Sequence, residues 1–414
     1  MTIERFTLTC LLLSAPWIFA KAEVPEKAQR LHEDAIVLDT HLDTPANFSR
    51  PGWSILDNHR LDREFSQVDL PRMREGGLDG GFWVVYTEQG SRDVAGNLQA
   101  RDHGLLRMAE ILEMVAAHAD DFELALTSKD AERIAGAGKR VVFMSMENAS
   151  PLASDPSLLS AYYKLGLRML GITHFANNDF GDSSTDPKGA EWHGLSPEGR
   201  ELVAAANRMG LILDASHASD DVLDQLLELS KAPIVLSHSG SKAVYDAPRN
   251  IDDARVRKLA EKGGVIHVNA YSGYLIPVPK IPAREAALES SAKKYGDESA
   301  LSEAQIQAWL SERDEIDKTF PVPRANFDDY MKHVLHLVKV AGPEHVGIGA
   351  DWDGGGGVTG MEDVSALPRI TDRLLKAGYT DKQVRGILGG NVLRVLDSVQ
   401  RIAESIQAND EQKQ

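Results

Sequence analysis

Short apolar runs recur along the chain, each bounded by turn-forming residues and each closing on, or followed at once by, a polar side chain. They lie at 36–40, 81–86, 141–146, 169–173, 211–216, 234–237, 264–269 and 346–350. Little period-two alternation shows in them, as expected of strands buried on both faces of a parallel sheet. Between most of them, at 101–119, 157–165, 197–209, 219–229 and 254–262, apolar residues return at three- and four-residue intervals. That spacing predicts helices with one buried stripe. Ser196 before Pro197 suits a helix start, and Gly210 suits its stop. Eight strands alternating with helices predict an α/β fold, a (β/α)8 TIM-like barrel. No glycine-rich phosphate loop follows the first strand, which weighs against a doubly wound open sheet. Residues 275–325 break the rhythm, with Pro277/Pro279 and Pro321/Pro323 around a charged helical stretch. They are expected to form an insertion between strands 7 and 8 that covers the barrel mouth or makes a homodimer contact.

The chain's first 22 residues follow another pattern. Arg5 precedes a mostly apolar stretch over 6–19, and Ala20-Lys21-Ala22 offers a small-x-small cleavage site. This predicts a signal peptide at 1–22 and an exported protein, periplasmic or secreted. The apolar stretch is too short to span a bilayer comfortably, and the polar C-terminus signals no anchor. Residues 23–414 are then expected to form a single domain without a membrane anchor. Cys10, the one cysteine, would leave with the signal, so the fold must rest on its core rather than on disulfides.

Composition narrows the partners. Forty-five basic against 62 acidic side chains leave a formal charge of −17, and no Lys/Arg run makes a basic patch. Nucleic acid and anionic membranes are therefore set aside as partners.

The candidate chemistry sits at the strand ends. His41 and Asp43, Glu147, His174, His217, His238 and Asp351 all close or follow predicted strands. In a barrel they gather at the C-terminal mouth, where such folds build their active sites. A lone histidine there is more often structural; a set of seven ionisable groups reverses that reading. His41 and Asp43 are two apart, on the same face of an extended segment, and imidazole with carboxylate suits zinc and similar ions. His217 and His238 end consecutive strands and can converge on a second ion, with Glu147 bridging the two.

These residues, in the order VLDTHLDTP, MEN, THFANN, DASH, LSHSGSKAVYDAPRN and GIGADWDG, resemble the zinc-dependent membrane (renal-type) dipeptidases, peptidase family M19. The resemblance runs through nearly all of the chain after residue 22. It implies a distorted barrel, two Zn2+ ions per chain and hydrolysis of small dipeptide substrates, L,L and also L,D, by a hydroxide shared between the metals. His41, Asp43 and Glu147 would hold one zinc, and Glu147, His217 and His238 the other. His174 would contact the substrate carbonyl and its oxyanion, Arg249 the free carboxylate, and Asp351 would carry the proton. Tyr271 matches a substrate-lining position. One departure stands out: Asn148 follows Glu147 where the family commonly has glycine.

Two rival readings remain at this level. A binuclear amidohydrolase of other small amides, lactones or β-lactams would use similar ligands. Several such barrels bridge their metals with a carboxylated lysine, but no lysine follows a predicted strand here. An exported solute-binding protein would share the signal and lack of cysteines, but has no reason to place histidines and carboxylates at six strand ends.

Overall fold

The computed structural model describes residues 24–412, apart from positions 60, 62, 63 and 297–300. The predicted signal peptide at 1–22 lies outside the described residues. Nine strands form one sheet: β1 (Leu38–Leu42), β2 (Gly80–Tyr86), β3 (Phe122–Leu124), β4 (Arg140–Glu147), β5 (Leu167–Gly171), β6 (Ile212–Asp214), β7 (Val235–Ser239), β8 (Val265–Val268) and β9 (Val346–Ile348). All pairings are parallel, in the order β1-β2-β4-β5-β6-β7-β8-β9. Closure comes just beyond β9, where Leu42 bridges Trp352 and Asp43 N–H donates to Trp352 O at 2.9 Å. The expected (β/α)8 barrel is therefore the fold. It is uneven: β6 and β7 share a single register pair, Asp214 with Val235, and register slips interrupt β1/β2, β4/β5 and β7/β8.

β3 is an addition to the eight predicted strands. Its three residues are too few to show a period, yet Phe122 is fully buried and the strand pairs with the start of β4. β5 takes the end of β4, pairing from Met144 onward. β5 itself begins two residues before the predicted run, because Gly166 at φ 117° ends helix Leu159–Leu165 abruptly and the strand follows at once.

Two apolar layers hold the barrel. Outside, the strands pack on helices such as Pro197–Met209, whose start and stop are those expected: Ser196 caps Gly199 N–H, and Gly210 takes φ 82°. In the other layer, Leu38, Phe82, Val141, Phe143, Met169, Ile212, Val235 and Val265 pack together with Val392, Val395, Leu396 and Val399 of helix Asn391–Glu411. The C-terminal helix thus joins residues contributed by seven different strands. Each such buried aliphatic or aromatic contributes about 1.5–3 kcal/mol. No helix among the described residues is long and apolar enough to cross a membrane.

The β8–β9 connection carries the expected insertion. Helices Ser272–Leu275, Pro282–Tyr295 and Glu303–Thr319 precede helix Phe327–Ala341, which buries Tyr330, Met331, Val334 and Leu337 as an ordinary barrel helix. Helix Glu303–Thr319 docks through Trp309, edge-on to Phe65 at 5.3 Å.

Buried neutral histidines pin this outer layer. His333 Nδ1 accepts from Ser241 N–H at 3.0 Å while Nε2–H donates to Leu275 O at 3.1 Å, and His32 bonds Thr371 Oγ1 and Gly76 O. Burial pushes both down from 6.5 to about 4. The unfolded chain therefore binds more protons between those values, and stability falls as pH drops from 6.5 toward 4, by on the order of 3 kcal/mol per residue. Urea midpoints between pH 7 and 4.5 should show this decline, with a shallower slope in His333→Gln. An unchanged slope would remove His333 from the account.

Candidate active site at the barrel mouth

Local structure explains why the polar strand ends converge. His41 lies in β1, Glu147 ends β4 and His238 lies in β7, whereas His174, His217 and Asp351 each follow their strand by three residues. Two of these late residues, His217 and Asp351, adopt φ 65°, a left-handed conformation that non-glycine residues rarely hold without tertiary support. Asn148 also takes a positive φ, 69°, which accounts for glycine being common there. Asparagine tolerates this region and adds contacts glycine lacks, with Nδ2 donating to Thr87 O and Oδ1 accepting from Asn178, both at 2.8 Å.

Glu147 is the centre of the cluster. Its Oε2 lies 3.5 Å from His41 Nε2, which is itself 3.3 Å from Asp43 Oδ2. Its Oε1 lies 3.1 Å from His217 Nε2, 3.5 Å from His238 Nε2 and 3.9 Å from His174 Nε2. All five expected ligands are thus together, one carboxylate oxygen toward each set. Three donor groups fall within metal-binding reach: His41/Glu147/His238, Glu147/His174/His217 and His41/Asp43/Asp351. The residues fit divalent ions. His41 Nε2 and Glu147 Oε1 are buried without hydrogen-bond partners, and the Nε2 atoms of His217 and His238 point together at 2.9 Å.

Electrostatics follow the same division. Burial disfavours the charged form of Glu147, but the neighbouring His41, His174 and His217 outweigh it and hold the carboxyl well below its usual range. Burial likewise opposes charge on His41, yet Glu147 and Asp43 raise it well above 6.5. His217 and His238 are driven well down by burial, with Arg249 adding to the effect in both. His217 and His238 as neutral imidazoles beside an ionised carboxylate are in the states a metal requires, whereas His41 would have to lose its proton to ligate.

The cluster floors a cavity of about 480 Å³. His174, Asp351 and Tyr271 line it as expected, Tyr271 being 41% exposed and edge-on to Tyr274. Arg249 is placed differently from a simple wall residue. It is buried, donates to His238 O at 3.0 Å and Ser239 Oγ at 3.2 Å, and lies under the Tyr274 ring. Its Nε–H is buried without a partner. His267 takes no part in the cavity: it points to the lumen beside Gly347 and Gly349 and bonds Leu236 O at 3.0 Å.

Several lining residues were not anticipated. Tyr86 ends β2 with its hydroxyl 3.4 Å from His174 Nδ1, so its place at a predicted strand end was the available signal. His103 and Arg107 come from helix Val94–Ala117, and Asp353 accepts from Thr44 Oγ1 at 2.7 Å. Gly354 fits only as glycine, since a Cβ there would sit 2.0 Å from Asp43 Oδ2 and 2.3 Å from Asp351 Oδ1.

Residues 25–410 match the family described as membrane dipeptidase (peptidase family M19). A dipeptidase of Schizosaccharomyces pombe is 29% identical over 96% of this chain and 90% of its own length. Dipeptidase tcpJ of Claviceps purpurea is 30% identical over 82% of this chain and 70% of its own. Among solved structures, the probable dipeptidase PvdM from Pseudomonas aeruginosa superposes with a TM-score of 0.77 at 29% identity, covering 91% of this chain and 98% of that one. A metallopeptidase from Rhodobacter sphaeroides, liganded with a phosphinate mimic of L-Ala-D-Ala, gives 0.69 at 25% identity, covering 88% and 100%.

Proposed function

Given that the chain belongs to the membrane dipeptidase family, peptidase family M19, and is a metal-dependent dipeptidase, we propose that its metal is zinc and that two ions would be held around Glu147. His41 and Asp43 would complete one site, and His217 and His238 the other. The observation that carries this reading is the division of Glu147: one oxygen faces His41, the other faces His217 and His238. When bound, the ions lower the pKa of the attacking water and polarise the scissile carbonyl.

The chain's own residues supply the remaining roles. His174, at the cavity wall 3.9 Å from Glu147, is placed to donate to the developing oxyanion. Asp351 accepts a proton from the attacking water and returns it to the departing amine. Arg249 has a buried Nε–H without a partner, behind Tyr274, and would grip the dipeptide's free carboxylate. A tripeptide would carry that carboxylate one residue too far. The Rhodobacter sphaeroides relative's ligand, a mimic of L-Ala-D-Ala, supports an L,D substrate as well as L,L dipeptides.

A hydrolysis panel of L,L- and L,D-dipeptides, tripeptides and a β-lactam, run with and without chelator, tests these assignments. Dipeptide cleavage should vanish with chelator, return with zinc, and exceed tripeptide cleavage by at least roughly tenfold, the worth of one modest charge-assisted contact. Equal rates on tripeptides would sink the Arg249 ruler. Turnover that survives full metal removal would sink the metal reading.

A further inference from the structure

Behind His238 runs a chain of hydrogen bonds that no catalytic role uses. His238 Nδ1 lies 2.9 Å from Ser237 Oγ, and Ser237 Oγ in turn makes a short bond to Asp214 Oδ2. The other carboxylate oxygen, Oδ1, accepts the backbone N–H groups of Ser216 and Ser237, each at 2.9 Å. Asp214, Ser237 and His238 are all buried. His217 has nothing comparable, because its Nδ1 is buried without a partner.

Proton bookkeeping gives this chain a direction. An ionised carboxylate can only accept, and a serine hydroxyl has one proton to give. Ser216 Oγ, 3.2 Å from Ser237 Oγ, is the alternative acceptor, but the carboxylate is nearer and charged. Ser237 therefore donates to Asp214 and keeps its lone pair for His238. His238 must then carry its proton on Nδ1, which leaves the Nε2 lone pair aimed at Glu147 and His217, where a metal would bind.

We propose that Asp214, acting through Ser237, is a positioning residue for metal retention: it fixes the tautomer and orientation of His238 as an Nε2 ligand. The proposal rests on the reading of the site as a metal centre. Its particular content is an asymmetry, in that the His217/His238 position is held by a carboxylate from behind. In Asp214→Asn, Oδ1 stays with the two backbone donors and the amide NH2 is turned toward Ser237. The hydroxyl must then give its proton to His238 Nδ1 or fall back on Ser216, and in either case the negative charge behind the ligand is gone.

The test is zinc affinity by chelator competition in the full-length protein, for wild type, Asp214→Asn, Ser237→Ala and the double variant. Melting of each metal-free form serves as the folding control. Each single variant should lose about 10–100-fold in affinity for the zinc at the His217/His238 position while the metal-free melting temperature stays near wild type. Because both act along one chain, the double variant should be no worse than the worse single. An Asp214→Asn protein that binds zinc as wild type does would overturn the relay. So would losses that multiply in the double variant, or losses that merely follow a fall in metal-free stability. A wild-type protein that holds no zinc would instead remove the metal centre itself.

Discussion

Glu147→Gln is expected to empty at least one metal position and to lower kcat/KM by roughly 10⁴-fold or more, the scale of losing water activation. The substitution preserves shape and deletes only charge and one acceptor. In the native arrangement Oε2 serves His41, and Oε1 serves His217 and His238. A glutamine must turn its NH2 toward one of these sets, and an amide nitrogen does not ligate. Whichever way it flips, one position loses its bridge. The lost charge matters too, since Glu147 is 7% exposed and its neighbours include three imidazoles aimed at one oxygen. Elemental analysis should show metal per chain falling below the wild-type content, in step with turnover. Full metal content with turnover within tenfold of wild type would remove Glu147 as the bridge.

The seven strand-end residues were legible because the barrel converts sequence order into spatial order. Each parallel strand points its C-terminal end the same way, so a polar side chain after an apolar run reaches the mouth whatever lies between. This worked even for His174, His217 and Asp351, which sit three residues beyond their strands in loops. It failed for groups that arrive from other layers. His103 and Arg107 reach the cavity from helix Val94–Ala117; both fall inside the helix predicted at 101–119, but a mid-helix position carries no strand-end signal. Asp353 lies two residues after Asp351, within GIGADWDG but off the strand end, and Gln67 holds it by donating its backbone N–H to the carboxylate and accepting from Asp353 N–H at 2.8 Å. A pairing 286 residues apart in sequence has no local signature. Arg249 shows a different limit. Its identity was visible, but its burial under Tyr274 depends on the helix Ser272–Leu275 packing back over the β7 loop.

The Asp351→Asn variant should separate proton transfer from metal binding, with kcat falling about 10²–10⁴-fold while metal content stays at the wild-type level. Several features place Asp351 for proton work. It is 8% exposed, its Oδ2 accepts from Asn269 Nδ2 at 3.2 Å, and its backbone is held at φ 65°. Burial raises its carboxyl well above the usual range; His41 opposes this, and Asp43 and Glu147 add to it. A carboxyl shifted upward both takes and returns a proton more readily near neutral pH than an ordinary aspartate. Below its pKa the side chain is already protonated and cannot accept from the attacking water. The wild-type rate should therefore fall on the acid side, and the residual rate of the asparagine variant should lack that limb. The same geometry permits one competing role, because Asp351 also stands within ligand reach of His41 and Asp43. If it ligates, the variant loses metal as well as rate, and added zinc restores part of both. If it carries the proton, added zinc restores nothing.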